Sequence, residues 1–210
     1  MSRTYRNFRI VSQVIFFIVL IALIRAKRPT NWMMVFVGST VLSAVFSRFY
    51  CGWICPINSV MQVSEAIGRR LKIQKDYVPK VLRSGAFAYV MLVITFVLAF
   101  LNAKGILKLP FLLLMIAAGF LVTLRYPQAV WHKYLCPYGA ILRLPSRFAR
   151  FKMNVDAGTC VGCGLCKRVC PAEAVKIEDR LAEIDPTLCL VCHECGVVCP
   201  KNSIGYGITA

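Results

Sequence analysis

Acidic side chains are scarce in this 210-residue chain: 9 Asp and Glu stand against 26 Lys and Arg, and charged residues of both signs make up only 17% of it. A soluble domain carries about a quarter charged residues, so the shortage excludes that class. The 58% of apolar residues arrive in long blocks and point to membrane insertion instead. The same richness in aliphatic and aromatic side chains excludes a disordered, collagen-like or low-complexity chain. Also missing are a nucleotide fingerprint, a pair of catalytic carboxylates and a nucleophile with its base, so bound groups rather than side chains are expected to carry the chemistry. No cleavage site closes the basic, apolar N-terminal stretch: Ala22-Leu23-Ile24-Arg25 lacks a small-x-small pattern, and residues 2–24 read as a retained anchor.

The net charge of +17 raises nucleic acid as a partner, but its placement argues against it. Residues 1–152 hold 21 basic and 2 acidic side chains, residues 153–210 hold 5 and 7, and the basic excess flanks the apolar blocks. That is where cytoplasmic loops of membrane proteins carry it, next to anionic lipid.

Uncharged runs of 15, 19, 20 and 16 residues separate Arg9 from Arg25, Arg28 from Arg48, Arg83 from Lys104 and Lys108 from Arg125. Four membrane-spanning helices follow, the shorter runs extended by snorkelling Arg and Lys. The N-terminal tail, the 48–83 segment and the chain after Leu124 hold 3, 7 and 11 basic residues, against 3 and 2 in the connections 25–31 and 102–108. The asymmetry predicts a multi-pass protein of the cytoplasmic membrane with both termini in the cytoplasm.

The pattern C-x2-C-x2-C-x3-C-P occurs over 160–171 and again, 29 residues on, over 189–200. Its spacing lets three thiolates wrap one face of a 4Fe-4S cubane while the Cys before Pro, which is expected to start a helix, serves the other cluster. One cluster is thus expected on Cys160, Cys163, Cys166 and Cys199, the other on Cys189, Cys192, Cys195 and Cys170, with Gly162, Gly164 and Gly196 admitting the backbone close to the sulfides. Zinc does not need this repeated pattern, and disulfides are unfavourable in a reducing cytoplasm. The string Cys189-Leu190-Val191-Cys192-His193 also matches a haem attachment site, but haem would remove two ligands from a complete cluster set. His193 is read instead as a surface residue or one just behind a cluster. The segment resembles a bacterial-type two-cluster ferredoxin, which implies a C-terminal α+β domain over 153–210.

Three further cysteines, Cys51, Cys55 and Cys136, sit in a repeat. At an offset of 81, residues 49–56 align with 130–137, matching Cys-Pro with Cys-Pro, aromatics with aromatics and Cys51 with His132. Residues 1–152 then form two tandem helix pairs (about 8–71 and 86–152), each ending in a C/H-x3-C-P turn and an amphipathic helix: Ile57, Val60, Met61, Ile67 and Leu71 in the first, Ile141, Leu142 and Leu144 in the second. A Pro in the first helical turn puts Cys55 and Cys136 at helix N-termini, where unpaired amides favour a thiolate. Three readings stay open: Cys51, Cys55, His132 and Cys136 as a third iron or iron-sulfur centre, a redox-active pair, or buried structural thiols. Tyr50, Trp53, His132, Tyr134 and Tyr138 are quinone-site candidates, although interfacial Trp and Tyr also form the aromatic belt of any membrane protein. His132 could accept a proton from a quinol.

The four spans in two pairs, the two x3-Cys-Pro turns and the double cluster motif resemble the NapH/MauN family of membrane ferredoxin-type proteins, with related modules in NosR and CcoG. His132, where the family typically has Cys, is the one departure. The resemblance implies an iron-sulfur electron-transfer subunit of a quinol dehydrogenase-type complex, working between the quinone pool and a partner oxidoreductase through two 4Fe-4S clusters. The CcoG likeness implies the alternative, an assembly factor that reduces a metal or thiol on a client redox enzyme.

Overall fold

The computed structural model describes residues 2–26, 28, 31–75, 85–104 and 111–208. The helices are α1 (Ser2–Arg25), α2 (Asn31–Phe46), α3 (Phe49–Trp53), α4 (Pro56–Arg70), α5 (Gly85–Ala103), α6 (Phe111–Arg125), α7 (Gln128–Val130), which runs on into a π-helical turn over Trp131–Leu135, and α8 (Pro137–Ser146). A smaller α+β segment follows: β1 (Phe151–Val155), α9 (Leu165–Arg168), β2 (Val175–Glu178), β3 (Leu181–Ile184), α10 (Glu194–Val198) and β4 (Ile204–Ile208). The four uncharged runs fall on α1, α2, α5 and α6. Among the described residues one stretch, Thr4–Arg25, is long and apolar enough to cross a membrane, and Asn31–Phe46, Tyr89–Leu98 and Leu112–Arg125 are shorter apolar helices. These helices leave large apolar side chains uncovered, including Phe8, Ile18, Met34, Val41, Tyr89, Phe96 and Leu121. Lys27, Lys80, Arg83 and Lys108, all counted in the charge asymmetry, lie outside the described residues.

The chain divides into two compact units, residues 1–56 with 142–210, and residues 57–141. In the first, β1 pairs antiparallel with β4 from Phe151↔Ile208 to Val155↔Ile204, and β2 pairs with β3. The β2–β3 loop is the two residues Asp179 and Arg180, both at positive φ (48° and 61°), the backbone that matches the right-handed strand twist. Met153, Cys166, Ala174, Val175, Ala182, Cys189, Val191 and Cys195 form one buried core, so the cluster loops are part of the packing. The N-terminal helices belong to this unit. Tyr206 donates its hydroxyl to the Phe46 carbonyl at 3.2 Å, and Phe46 stacks on Phe151 at 5.4 Å. The division therefore departs from the expected one at residue 152, because side chains from α1 to α3 anchor in the C-terminal segment.

In the second unit Ile57 and Met61 of α4 are buried, as expected, but Ile67 and Leu71 are exposed. The buried stripe continues instead through Ser64 and Glu65. Ser64 donates to the Phe120 carbonyl at 2.6 Å, and Gly68 lies against the Leu124 backbone. Polar side chains can line this contact because helix carbonyls accept from them. In the first unit, Leu144 of α8 is exposed while Leu142 is fully buried. Pro56 and Pro137 do open α4 and α8.

Candidate iron-sulfur sites

Two pockets open at the cysteine loops. One, about 340 Å³, is lined by Cys160, Cys163, Cys166 and Cys199. The other, about 330 Å³, is lined by Cys170, Cys189, Cys192 and Cys195. Each loop supplies three thiols to one pocket and sends its fourth to the other. All these thiols are free, and among the described residues no three His, Cys, Asp or Glu converge closely enough to hold a single metal ion. Four sulfurs spread around a space rather than a point suit a cubane, whose corners separate its thiolates.

The two loops share a backbone. Gly162 and Gly164 lie at φ of 65° and 75°, and their counterparts 29 residues on, Val191 and His193, at 53° and 61°. Left-handed backbone is unstrained for Gly and costly for a β-branched residue. A Cβ on Gly162 would also meet the Arg180 carbonyl oxygen at 2.4 Å. Pro171 and Pro200 do not start helices: α9 and α10 precede them, and turns leading to β2 and β4 follow. The Cys before each Pro nonetheless leaves its own loop.

The pockets differ in exposure. Cys163 is exposed and Cys160 and Cys199 half-buried, whereas Cys189, Cys192 and Cys195 are buried. Burial pushes the Cys189 and Cys195 thiols up, the neighbouring Cys192 adding to both, and pushes Cys192 up to about 11 although Arg9 opposes it. Burial raises Cys166 too. Cys199 goes the other way: burial would raise it, but the Ser203 hydroxyl and the amides of Ser203, Lys201 and Asn202 together hold it below the usual thiol range. Metal binding must displace the protons of the buried set.

The second pocket is clasped by residues whose sequence signals were membrane-flanking charge (Arg9, Arg48), an interfacial aromatic and quinone candidate (Trp53), and a residue beside the cluster motif (His193). Arg9 of α1 donates to the Cys192 carbonyl at 2.8 Å and pairs with Glu194 at 2.6 Å. Arg48, fully buried, donates to the carbonyls of Thr187 (3.1 Å) and Leu188 (3.4 Å) and lies 3.7 Å from the Cys51 sulfur. The Trp53 indole donates to the Val191 carbonyl at 2.9 Å. His193 is not a surface residue: it is 7% exposed, stacks on Tyr5 at 4.8 Å and meets Trp53 and Tyr206 edge-on. The positions of Arg48 just before the Cys51 motif and of Val191 and His193 opposite two glycines were the available sequence signals.

The membrane-proximal set is divided between the units, Cys51 and Cys55 in the first, His132 and Cys136 in the second. Within each unit the turn has the same bond, from the Cys55 amide to the Tyr50 carbonyl (2.9 Å) and from the Cys136 amide to the Trp131 carbonyl (2.8 Å), five residues back in both. The Cys136 sulfur accepts the Gly139 amide at 3.3 Å, as a helix N-cap does. His132 Nε2 lies 3.1 Å from Asn58 Oδ1. Of the quinone candidates, Tyr50 accepts the Trp32 indole N–H at 3.0 Å, Trp53 has its N–H committed to Val191, Tyr134 lies beneath the Lys133 ammonium at 5.4 Å, and Tyr138 is buried. They too are split, Tyr50 and Trp53 in one unit and His132, Tyr134 and Tyr138 in the other.

A 4Fe-4S binding domain family matches residues 28–74, where Cys51 and Cys55 are the cysteines, and a 4Fe-4S dicluster domain family matches residues 134–174. The chain is 32% identical over 170 residues to the uncharacterized protein MJ0749 of Methanocaldococcus jannaschii, covering 79% of this chain and 67% of that protein. It is 27% identical over 151 residues to the methylamine utilization ferredoxin-type protein MauN of Methylobacillus flagellatus (64% and 53%), and 24% identical over 191 residues to the ferredoxin-type protein NapH of Escherichia coli (79% and 65%). The chain thus spans between about half and two thirds of these relatives. No solved structure matches it.

Proposed function

The chain belongs to the NapH/MauN-type family of 4Fe-4S ferredoxin-like electron-transfer proteins, and we propose that it is a membrane-bound subunit passing electrons between the quinone pool and a partner oxidoreductase. The observation that carries this reading is the pair of four-cysteine pockets. Cys160, Cys163, Cys166 and Cys199 hold one 4Fe-4S cluster, and Cys170, Cys189, Cys192 and Cys195 the other. Bound clusters supply one-electron transfer. The chain's own residues hold them, bury one more deeply than the other, and tie that one to α1 and α3. The anaerobically reconstituted protein should contain about eight iron and eight sulfide per chain, and a quinol analogue should reduce it. Four iron or fewer defeats the two-cluster assignment, and clusters that resist every quinol defeat the quinone link.

The membrane reading is supported by α1 and by the uncovered apolar faces of α2, α5 and α6, which a bilayer would cover. Four spans with both termini cytoplasmic is the proposed topology. Reporters fused after Lys75 and after Ala210 should read cytoplasm, and a tag within 102–108 should be reached from outside. A C-terminal reporter read outside overturns it.

A third iron or iron-sulfur centre at the turn holding Cys51 and Cys55 is a second proposal. It draws on the match of a 4Fe-4S binding domain family to a segment holding only Cys51 and Cys55. The assembly-factor alternative shares every residue named here and differs in client: reduction of a metal or thiol on a purified redox partner, without quinol, would favour it.

A further inference from the structure

Among the described residues Arg48 is a buried cation without a carboxylate partner. It is 0% exposed, its Nη atoms meet the Thr187 and Leu188 carbonyls and the Cys51 sulfur, and its Nε has no partner. The two ion pairs among the described residues are Arg9–Glu194 and Arg69–Glu65, and neither involves it. Carbonyls solvate a guanidinium but do not neutralise it, and an uncompensated charge in a packed interior is strongly unfavourable. Something anionic belongs beside it. The loop it grips, Thr187–Leu188, runs directly into Cys189 of the second pocket. A cluster with four thiolate ligands is net negative in both oxidation states and gains one further negative charge on reduction.

We propose that Arg48 is the counter-cation of the cluster on Cys170, Cys189, Cys192 and Cys195, and that its charge holds this cluster at a higher reduction potential than the cluster on Cys160, Cys163, Cys166 and Cys199. A fixed cation stabilises the reduced, more negative form, and does so strongly where water is excluded. Arg9 lies on the same loop, but Glu194 offsets its charge. Around the first pocket the basic side chains Lys167, Arg168, Arg180 and Lys201 are exposed, as is Cys163, so solvent and salt screen them. Among the described residues, Arg48 is therefore the unscreened and unpaired cation on the loop of either cluster.

The inference rests on the cluster assignment proposed above, and the test separates the two. The full chain is reconstituted anaerobically in detergent micelles, its iron counted, and each cluster titrated by electron paramagnetic resonance. Arg48→Gln, which keeps donors but removes the charge, should lower the equilibrium constant for reducing one cluster about tenfold, or about 59 mV for a one-electron couple. The other cluster, identified because Cys163→Ser perturbs it, should not move. Arg48→Lys should keep the wild-type value. Cys51→Asp, which sets a carboxylate where the sulfur lies 3.7 Å from the guanidinium, should lower the same potential and decides the matter if Arg48→Gln does not assemble. Full iron content with both potentials unmoved, or both moved equally, overturns the role of Arg48. Wild-type protein without iron overturns the cluster assignment and this inference with it.

Discussion

Serine in place of Cys199 is expected to disturb the same cluster signal as serine in place of Cys163, not that of Cys195 four residues away. Serine for Cys170 should behave as serine for Cys192 does. The expectation follows from the pockets: Cys199 lines the space that holds Cys160, Cys163 and Cys166, and Cys170 the one that holds Cys189, Cys192 and Cys195. Each variant should cost about four of about eight iron atoms, because a cubane with one corner open is prone to loss. The buried pocket should be hit harder, since a hydroxyl in place of a buried thiolate leaves an unmet polar group. If Cys199→Ser tracks with Cys195→Ser, each loop keeps its own four cysteines and the crossed assignment fails. In the same series Cys55→Ser and Cys136→Ser should leave both ferredoxin signals intact. Loss of a further paramagnetic species in Cys55→Ser would mark a third centre at that turn, and unchanged iron and spectra would leave these residues as structural thiols.

The cysteine framework was legible because its spacing is a geometric constraint that any chain wrapping two cubanes must satisfy. The helices were legible from uncharged runs, since α1, α2, α5 and α6 lie where Lys and Arg are missing. What could not be read was what one part of the chain does to another. Arg9 and Arg48 entered the charge count as markers of a membrane face, and one-dimensional counting does not separate a solvated arginine from one that reaches the backbone more than a hundred residues away. The same limit hid the polar seam of α4: Ser64 and Glu65 sit inside while Ile67 and Leu71 sit outside. Apolar spacing alone does not reveal that a neighbouring helix offers a carbonyl. For His193 the motif left two places open, the surface or just behind a cluster, and could not choose between them. The packing of His193 against Tyr5, Trp53 and Tyr206 reflects the second loop's use of bulky residues where the first has glycine.

That substitution of bulk for glycine is reversed at the partner surface, where Gly52 gives the second loop its seat. A Cβ on Gly52 would lie 2.1 Å from the Leu190 carbonyl oxygen and 3.2 Å from its carbon, so the obstruction is backbone and cannot rotate away. Nor can the turn retreat freely. Gln13 holds the Gly52 carbonyl at 2.8 Å, Ser12 holds the Trp53 carbonyl at 3.1 Å, and Trp53 itself is bonded to Val191 at 2.9 Å. Gly52→Ala should therefore cost about 1–3 kcal/mol as overpacking, with about 1 kcal/mol more for each of these bonds that breaks as the turn shifts. The loss should be local. Iron from the cluster on Cys170, Cys189, Cys192 and Cys195 should pass to a chelator faster than in wild type while the other cluster holds, and hydrogen exchange should accelerate at Cys51 to Trp53 and at Leu190 to Cys192. Gly205→Ala, with nothing within 4 Å of the added carbon, is the matched control and should leave both clusters unchanged. Equal chelation rates for both clusters in Gly52→Ala would mean that the turn and the second loop do not share their stability. A wild-type exchange pattern would mean that the close approach of Gly52 to Leu190 contributes nothing to holding the cluster loop.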